Sequence, residues 1–255
     1  QGIKTYAGGR VEKGEWENNE LLKVLVKKFI EIPKGSGPFP VVILSHGGGG
    51  LAPFYHTWAS KFVNWGFATI VLDHYSLRMA HPGPQTIAPK STPWRRADLI
   101  SILKVVKTNK NLDSSRIILA GWSAGAGLVL SGILGDDARK QAELEEPIKA
   151  AILIYPFSYA CVSSSGLKSE PVNLPVLILY GSKDGGLSCW RAKIPELKSS
   201  DQPQIFKIYE GAYHTFDNPY VKNKRCRRIR QYGGYDLCFL YNKKTHQESI
   251  GDIKA

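Results

Sequence analysis

Ser123 lies within Gly121-Trp122-Ser123-Ala124-Gly125, a serine set between glycines at the spacing of a nucleophile elbow. The preceding Arg116-Ile117-Ile118-Leu119-Ala120 is apolar and β-branched and predicts a strand, while the following Ala126-Gly127-Leu128-Val129-Leu130 predicts a helix. A strand, a sharp turn and a helix would lift the hydroxyl above a sheet edge, and the turn leaves no room for side chains beside the serine. The helix N-terminus would aim its amides at any oxyanion formed there.

A serine hydroxyl is a poor nucleophile until a base takes its proton, and the base needs an acid to orient it. In folds built on such an elbow the chain order is serine, then Asp or Glu, then histidine, with the partners on strand-end loops. Of the six histidines, His46, His56, His74 and His81 precede the elbow. His214 follows a predicted strand, Gln204 to Tyr209, on a loop placed to return over the sheet; His246 lies in a polar C-terminal stretch and reads as solvated. His214 is the expected base. Asp184 ends Gly181-Ser182-Lys183-Asp184, directly after the predicted strand Pro175 to Tyr180, and is the expected acid, with a helix-capping role as its alternative. Asp201 sits in a linking turn and Asp217 is close to His214 in sequence, so both rank behind it.

His46-Gly47-Gly48-Gly49-Gly50 follows the buried-strand run Val41 to Leu44, as an oxyanion loop would. Its glycines would let a backbone amide approach a substrate oxygen. The amide of Gly48, with Gly49 as the alternative, and the amide of Ala124 are the expected donors, and His46 is expected to brace the loop. Asp73, His74, Tyr75 and Arg78 follow another strand end and should face the same rim. Arg78 is a candidate partner for a substrate carboxylate or a rim salt bridge; Trp122 is a candidate wall of an acyl pocket or a core aromatic.

The elements that must position these groups alternate. Strands are expected over Leu21–Ile32, Val41–Leu44, Phe67–Leu72, Arg116–Ala120, Ile148–Tyr155, Pro175–Tyr180 and Gln204–Tyr209. Helices are expected over Phe54–Trp65, capped by Gly66, then Trp94–Thr108, Asp136–Glu146 and Ser188–Lys198. Asn111-Leu112-Asp113 reads as a turn and Ser76–Pro93, with four prolines, as a long rim loop. Strands alternating with helices predict an α/β fold, a mostly parallel central sheet with helices on both faces. The 255 residues read as one domain with a core of about 20–220 and a basic C-terminal extension of about 221–255.

Hydrophobic content of 43% and charged content of 22% are ordinary for a globular chain, and no apolar run is long enough to span a bilayer. The net charge of +12 is high, and much of it falls in the basic run from Lys222 to Arg230. That run could hold an anionic polymer or surface weakly, although a solvated basic loop is the simpler reading. It has neither the interleaved aromatics of a single-strand platform nor a DNA-binding pattern, so no specific nucleic acid is expected. The four cysteines lack C-x-x-C spacing, and no Cys/His cluster suggests zinc. Cys226 and Cys238 bracket a turn at Tyr232 to Tyr235, and Cys161 and Cys189 each follow a strand end, so 226–238 and 161–189 are the expected pairings. The chain begins at Gln1, as it would after removal of a signal peptide or after trimming. Paired cysteines would place it in a secreted or periplasmic setting, and four reduced thiols would place it in the cytosol.

With these residues in place the chain resembles the dienelactone hydrolase-like branch of the α/β-hydrolases, from about Pro40 to Asn218. The resemblance is carried by Leu44-Ser45-His46-Gly47-Gly48, by the elbow, by Gly181-Ser182-Lys183-Asp184 and by Gly211-Ala212-Tyr213-His214-Thr215-Phe216-Asp217. It implies a triad of Ser123, Asp184 and His214 and no metal or organic cofactor. Dienelactone hydrolases proper use a cysteine nucleophile with an acidic residue near the first strand. This chain has Ser123 and a glycine loop instead, so a broader carboxylic-ester hydrolase acting on a small-molecule or polymer ester is expected. Acyl transfer or amide cleavage would use the same triad, and a non-catalytic polyanion-binding protein on the same scaffold is the alternative from another class.

Overall fold

The computed structural model describes residues 2–5, 11–14, 30–76, 92–133, 137–157, 172–191, 201–229 and 234–255. Two short strands, β1 (Gly2–Thr5) and β2 (Val11–Gly14), form an antiparallel pair of their own. The main sheet has seven strands: β3 (Ile30–Glu31), β4 (Phe39–Ser45), β5 (Ala68–Leu72), β6 (Leu112–Trp122), β7 (Ala150–Ile154), β8 (Val176–Gly181) and β9 (Gln204–Tyr209). Their order is β3-β5-β4-β6-β7-β8-β9, and only β3 runs antiparallel to its neighbour. The order reverses direction at β4 and β6, the two strands that carry the glycine loop and the elbow.

The runs of Val, Ile and Leu in β4 and β5 are buried along nearly their whole length, as expected for parallel strands covered on both faces. Helix α1 (Pro53–Asn64) follows β4, starts on proline, buries Phe54, Trp58 and Phe62 on one face, and stops where Gly66 takes a φ of +92°. Helix α2 (Thr92–Thr108) buries the expected stripe Leu99, Ile102, Leu103 and Val106. Helix α3 (Ala124–Ile133) follows the elbow, and α4 (Asp137–Ala142) packs against α2 and α3.

Several boundaries differ from expectation. The predicted turn at Asn111–Asp113 opens β6 instead, because Phe39 donates to the Asn111 carbonyl and so brings Leu112 into the sheet. Of Leu21–Ile32 and Ser188–Lys198 the described parts are the strand Ile30–Glu31 and a helical turn over 187–191. The basic run is not a loop: β10 (Arg225–Ile229) pairs antiparallel with β11 (Tyr235–Phe239), Cys226 opposite Cys238, and a disulfide joins that pair. The C-terminal stretch is a helix, α5 (Lys243–Lys254), because Asn242 caps it by accepting from the Thr245 amide at 3.1 Å and Asp252 ties it to Lys207 and Tyr209 of β9. His246 is therefore not solvated. It rests 5.7 Å from the Trp58 ring with its Nε2 buried. Among the described residues no helix is long and apolar enough to cross a membrane.

Candidate active site

Ser123 follows the last residue of β6 and adopts a φ of +54°, a left-handed conformation that L-residues take only when their surroundings impose it. The imposition is visible. A methyl group added to Gly125 would lie 2.2 Å from the Ser45 carbonyl oxygen, and one added to Gly121 would lie 2.5 Å from the Gly125 backbone. Ser123 donates its amide to Ile154 at 2.9 Å, and its carbonyl accepts from Gly127 and Phe157 at 3.1 Å. The hydroxyl is left free to face the rim.

Ser123 Oγ lies 3.0 Å from His214 Nε2, and His214 Nδ1 lies 2.5 Å from Asp184 Oδ2. His214 and Asp184 are almost fully buried. Asp184 also accepts the Gly186 amide at 2.9 Å through Oδ1, which sets the carboxylate edge facing the imidazole. The acid and base loops are pressed together, since a methyl on Gly181 would lie 2.3 Å from the Ala212 carbonyl oxygen. The order and loop placement read from the sequence thus bring all three residues into one hydrogen-bonded chain.

The glycine loop is held from behind. The Arg95 guanidinium, itself buried, donates to the carbonyls of His46 at 3.0 Å and Gly47 at 3.3 Å and to the Tyr75 hydroxyl at 2.5 Å. Tyr75 in turn donates to the Gly48 carbonyl at 3.1 Å. With these carbonyls tied back, the amides of Gly48 and Gly49 have no protein acceptor among the described residues, and the Gly47 amide is used by the Tyr55 hydroxyl at 2.8 Å. Ala124 opens α3, where no preceding turn supplies an acceptor for its amide. Gly48, Gly49, Ser123, Ala124 and His214 line one cleft of about 370 Å³ with aromatic walls that include Phe54 and Tyr155.

His46 braces this loop as a neutral imidazole. Its Nε2 accepts the His74 amide at 3.1 Å, so Nδ1 carries the proton and donates to the Gly47 carbonyl at 2.7 Å. Burial, followed by the neighbouring His74 and Arg95, pushes its pKa well below the ordinary value. His74 is tied to Asp98 at 2.7 Å and to Ser45 at 2.9 Å. Asp73 accepts the amides of Tyr75 and Ser76, turning the chain at the rim.

Trp122 does not wall the cleft. It is fully buried and its indole N–H donates to Asp217 at 2.7 Å, because alternation along β6 sends it to the opposite side from the serine's hydroxyl. Asp217 also accepts from Trp58 at 2.9 Å and from Tyr155 at 2.6 Å. Burial raises its pKa against the pull of these donors. Arg78 and Cys161 lie outside the described residues. Cys189 is disulfide-bonded, and its expected partner is the Cys161 that lies outside the described residues.

Arg95 and Tyr55 carry no motif signal. Asp217 closes the Gly211–Asp217 segment, where its place three residues after His214 marks a second acid, whereas it serves as the buried acceptor for Trp58, Trp122 and Tyr155.

A strand-order switch, a strained serine at the elbow and a buried Asp–His pair define an α/β-hydrolase fold with serine-hydrolase geometry. The sequence profile of the dienelactone hydrolase family matches residues 26–251, and the chain belongs to that family. Among solved structures, a thermophilic esterase of Thermogutta terrifontis with butyrate bound is similar at a TM-score of 0.63 and 16% identity, over 88% of this chain and 85% of that one. A dienelactone hydrolase from Anabaena variabilis is similar at 0.56 and 20%, over 74% and 82%. A hyperthermophilic esterase from Pyrobaculum calidifontis is similar at 0.61 and 17%, over 88% and 76%. No curated protein matches the chain in sequence. The chain is an ester-hydrolysing enzyme of the serine hydrolase type.

Proposed function

We propose that the protein hydrolyses carboxylic esters through an acyl-enzyme, with Ser123 as nucleophile, His214 as general base and acid, and Asp184 as its orienting carboxylate. The observation that carries this reading is the chain from Ser123 Oγ through His214 to Asp184 at 3.0 and 2.5 Å. Ser123 Oγ attacks the ester carbonyl as its proton passes to His214 Nε2. The oxyanion accepts from the amides of Gly48 and Ala124. His214 then returns the proton to the departing alcohol, and the carbonyl re-forms as the acyl-serine. Water, deprotonated by His214, adds to that carbonyl; the bond to Ser123 Oγ breaks as His214 returns the proton to Oγ, and the carboxylic acid leaves.

The esterase with butyrate bound and its counterpart phosphorylated by paraoxon support a similar acyl chemistry for this chain. The disulfides at Cys226–Cys238 and at Cys189 support a secreted or periplasmic location, since such bonds persist in oxidising compartments. Fluorophosphonate labelling with peptide mapping tests the site. A single adduct on Ser123, absent in Ser123→Ala, is expected, with ester turnover falling about 10⁴-fold or more in the variant. An unlabelled, folded wild-type protein would remove the hydrolytic reading and favour polyanion binding.

A further inference from the structure

The acyl-enzyme mechanism makes no use of Asp217, yet its buried carboxylate joins three separate parts of the site. It belongs to the loop of the base. Past His214 the chain turns at Thr215, whose φ of +63° is left-handed, and the Asn218 amide closes that turn on the Thr215 carbonyl at 3.0 Å. Asp217 Oδ2 accepts the indole N–H of Trp122 at 2.7 Å, and Trp122 is the residue before Ser123. Its Oδ1 accepts the hydroxyl of Tyr155 at 2.6 Å, and the Tyr155 ring centre lies 4.5 Å from that of the His214 imidazole. A third donor, Trp58 of α1, reaches Oδ2 at 2.9 Å.

An indole N–H can only donate, so both tryptophans need an acceptor where Oδ2 stands. Burial, followed by the Asp217 charge, pushes the Tyr155 phenol well above its ordinary pKa, so it keeps its proton and donates as well. Tyr155 holds a φ of +36°, which a tyrosine adopts only where its surroundings impose it. Its amide bond to the Leu179 carbonyl at 2.7 Å fixes one end of the residue, and Asp217 fixes the other. A carboxylate is a costly way to fill an apolar core, but it fixes its donors in direction as well as in distance.

We propose that Asp217 is a positioning residue for the reaction. By accepting from Trp122 and Tyr155 it holds the strand end before Ser123, the ring against the imidazole and its own loop in one register, and so sets the approach of His214 Nε2 to Ser123 Oγ. The proposal rests on the hydrolytic reading of Ser123. Asp184 orients the imidazole from its Nδ1 edge, and Asp217 fixes where the imidazole stands relative to the serine. Trp58 supplies the contrast, because it donates to the same carboxylate from a helix that carries neither Ser123 nor His214.

The test measures 4-nitrophenyl acetate hydrolysis and thermal melts in the wild type and in Trp122→Phe, Tyr155→Phe, Trp58→Phe, Asp217→Asn and Asp217→Ala. Trp122→Phe and Tyr155→Phe should each lower kcat about tenfold or more with little change in KM, because a misplaced base slows proton transfer without weakening ester binding. Phenylalanine at position 155 keeps the ring that lines the cleft and removes only the hydroxyl. Trp58→Phe should lower the melting temperature at least as far as Tyr155→Phe and leave kcat within about twofold of wild type. Asp217→Asn keeps an oxygen for the indoles and should retain more of kcat than Asp217→Ala; if the alanine variant does not fold, the three donor variants decide. A kcat near wild type in either Trp122→Phe or Tyr155→Phe overturns the proposal. So does a kcat in Trp58→Phe that falls as far as in those two, since Asp217 would then act on fold stability alone. Absent wild-type turnover, or turnover that persists in Ser123→Ala, overturns the hydrolytic reading and this proposal with it. Turnover that depends on Ser123 and ignores the donors overturns the positioning role alone.

Discussion

The two sides of the cleft are held by opposite means. The glycine-loop side is braced from within, by buried Arg95, His46, His74 and Tyr75 behind the ends of β4 and β5. The His214–Asp184 side is braced from without, by an exposed hairpin that grips the His214 backbone on one edge and approaches the Asp184 loop on the other. A methyl on Gly185 would lie 2.3 Å from the Asp236 carbonyl oxygen, which shows how closely hairpin and acid loop meet. The inner brace belongs to the hydrophobic core and should fail only with the fold around it. The outer brace is a separate two-stranded sheet, too small to be stable alone without its cross-link.

The sharpest way to break this comparison is to remove the inner brace. Arg95→Ala frees the carbonyls of His46 and Gly47 and lets the glycine loop turn them toward the cleft. Loss of an ordered oxyanion donor is expected to lower kcat by about 10²–10³-fold with a smaller change in KM. Steady-state kinetics check it, and a kcat close to wild type would mean that the loop holds itself.

Removing the outer brace should cost less. The Cys226→Ala/Cys238→Ala double variant is expected to lose about 2–4 kcal/mol of stability and about tenfold in kcat as the His214 loop loosens. Thermal melts and kinetics with and without reductant measure both. An unchanged kcat beside a lowered melting temperature would show that the hairpin stabilises the fold without positioning the base.

The smallest effect distinguishes the two braces by pH. The His46 pKa is lowered below the ordinary value of 6.5 in the folded protein, so between those values the unfolded chain binds more protons. Stability is therefore complete above pH 6.5 and falls as the pH drops below it, by at most about 1.4 kcal/mol per pH unit from this group. Protonated His46 would also set an N–H against the His74 amide. Thermal melts of wild type and His46→Gln from about pH 7.5 to about pH 5 should differ in slope, and parallel profiles would remove His46 as the sensitive group.

What was legible in the sequence follows from distance along the chain. The elbow, the glycine loop and the Gly-to-Asp turn each express their chemistry within five residues, and the Ser–Asp–His order is a property of the chain itself. The α/β alternation was legible because buried parallel strands are short continuous apolar runs. The C-terminal helix was missed because its caps are polar and its buried face is small, Thr245 and Ser249 among lysines and glutamate. The sequence ranks Asp217 as a second acid, whereas folding places it under Trp58, 159 residues away, Trp122 and Tyr155.

The sequence by itself determined the type of fold and which serine, histidine and aspartate are the candidates for nucleophile, base and acid, because spacing and periodicity encode local geometry directly. Only the tertiary structure decided which groups hold them. Arg95 reaches a loop 49 residues away, and Arg227 of the basic run comes to line the same cleft as Ser123. Such roles depend on where side chains converge after folding, and no local pattern in the chain carries that information.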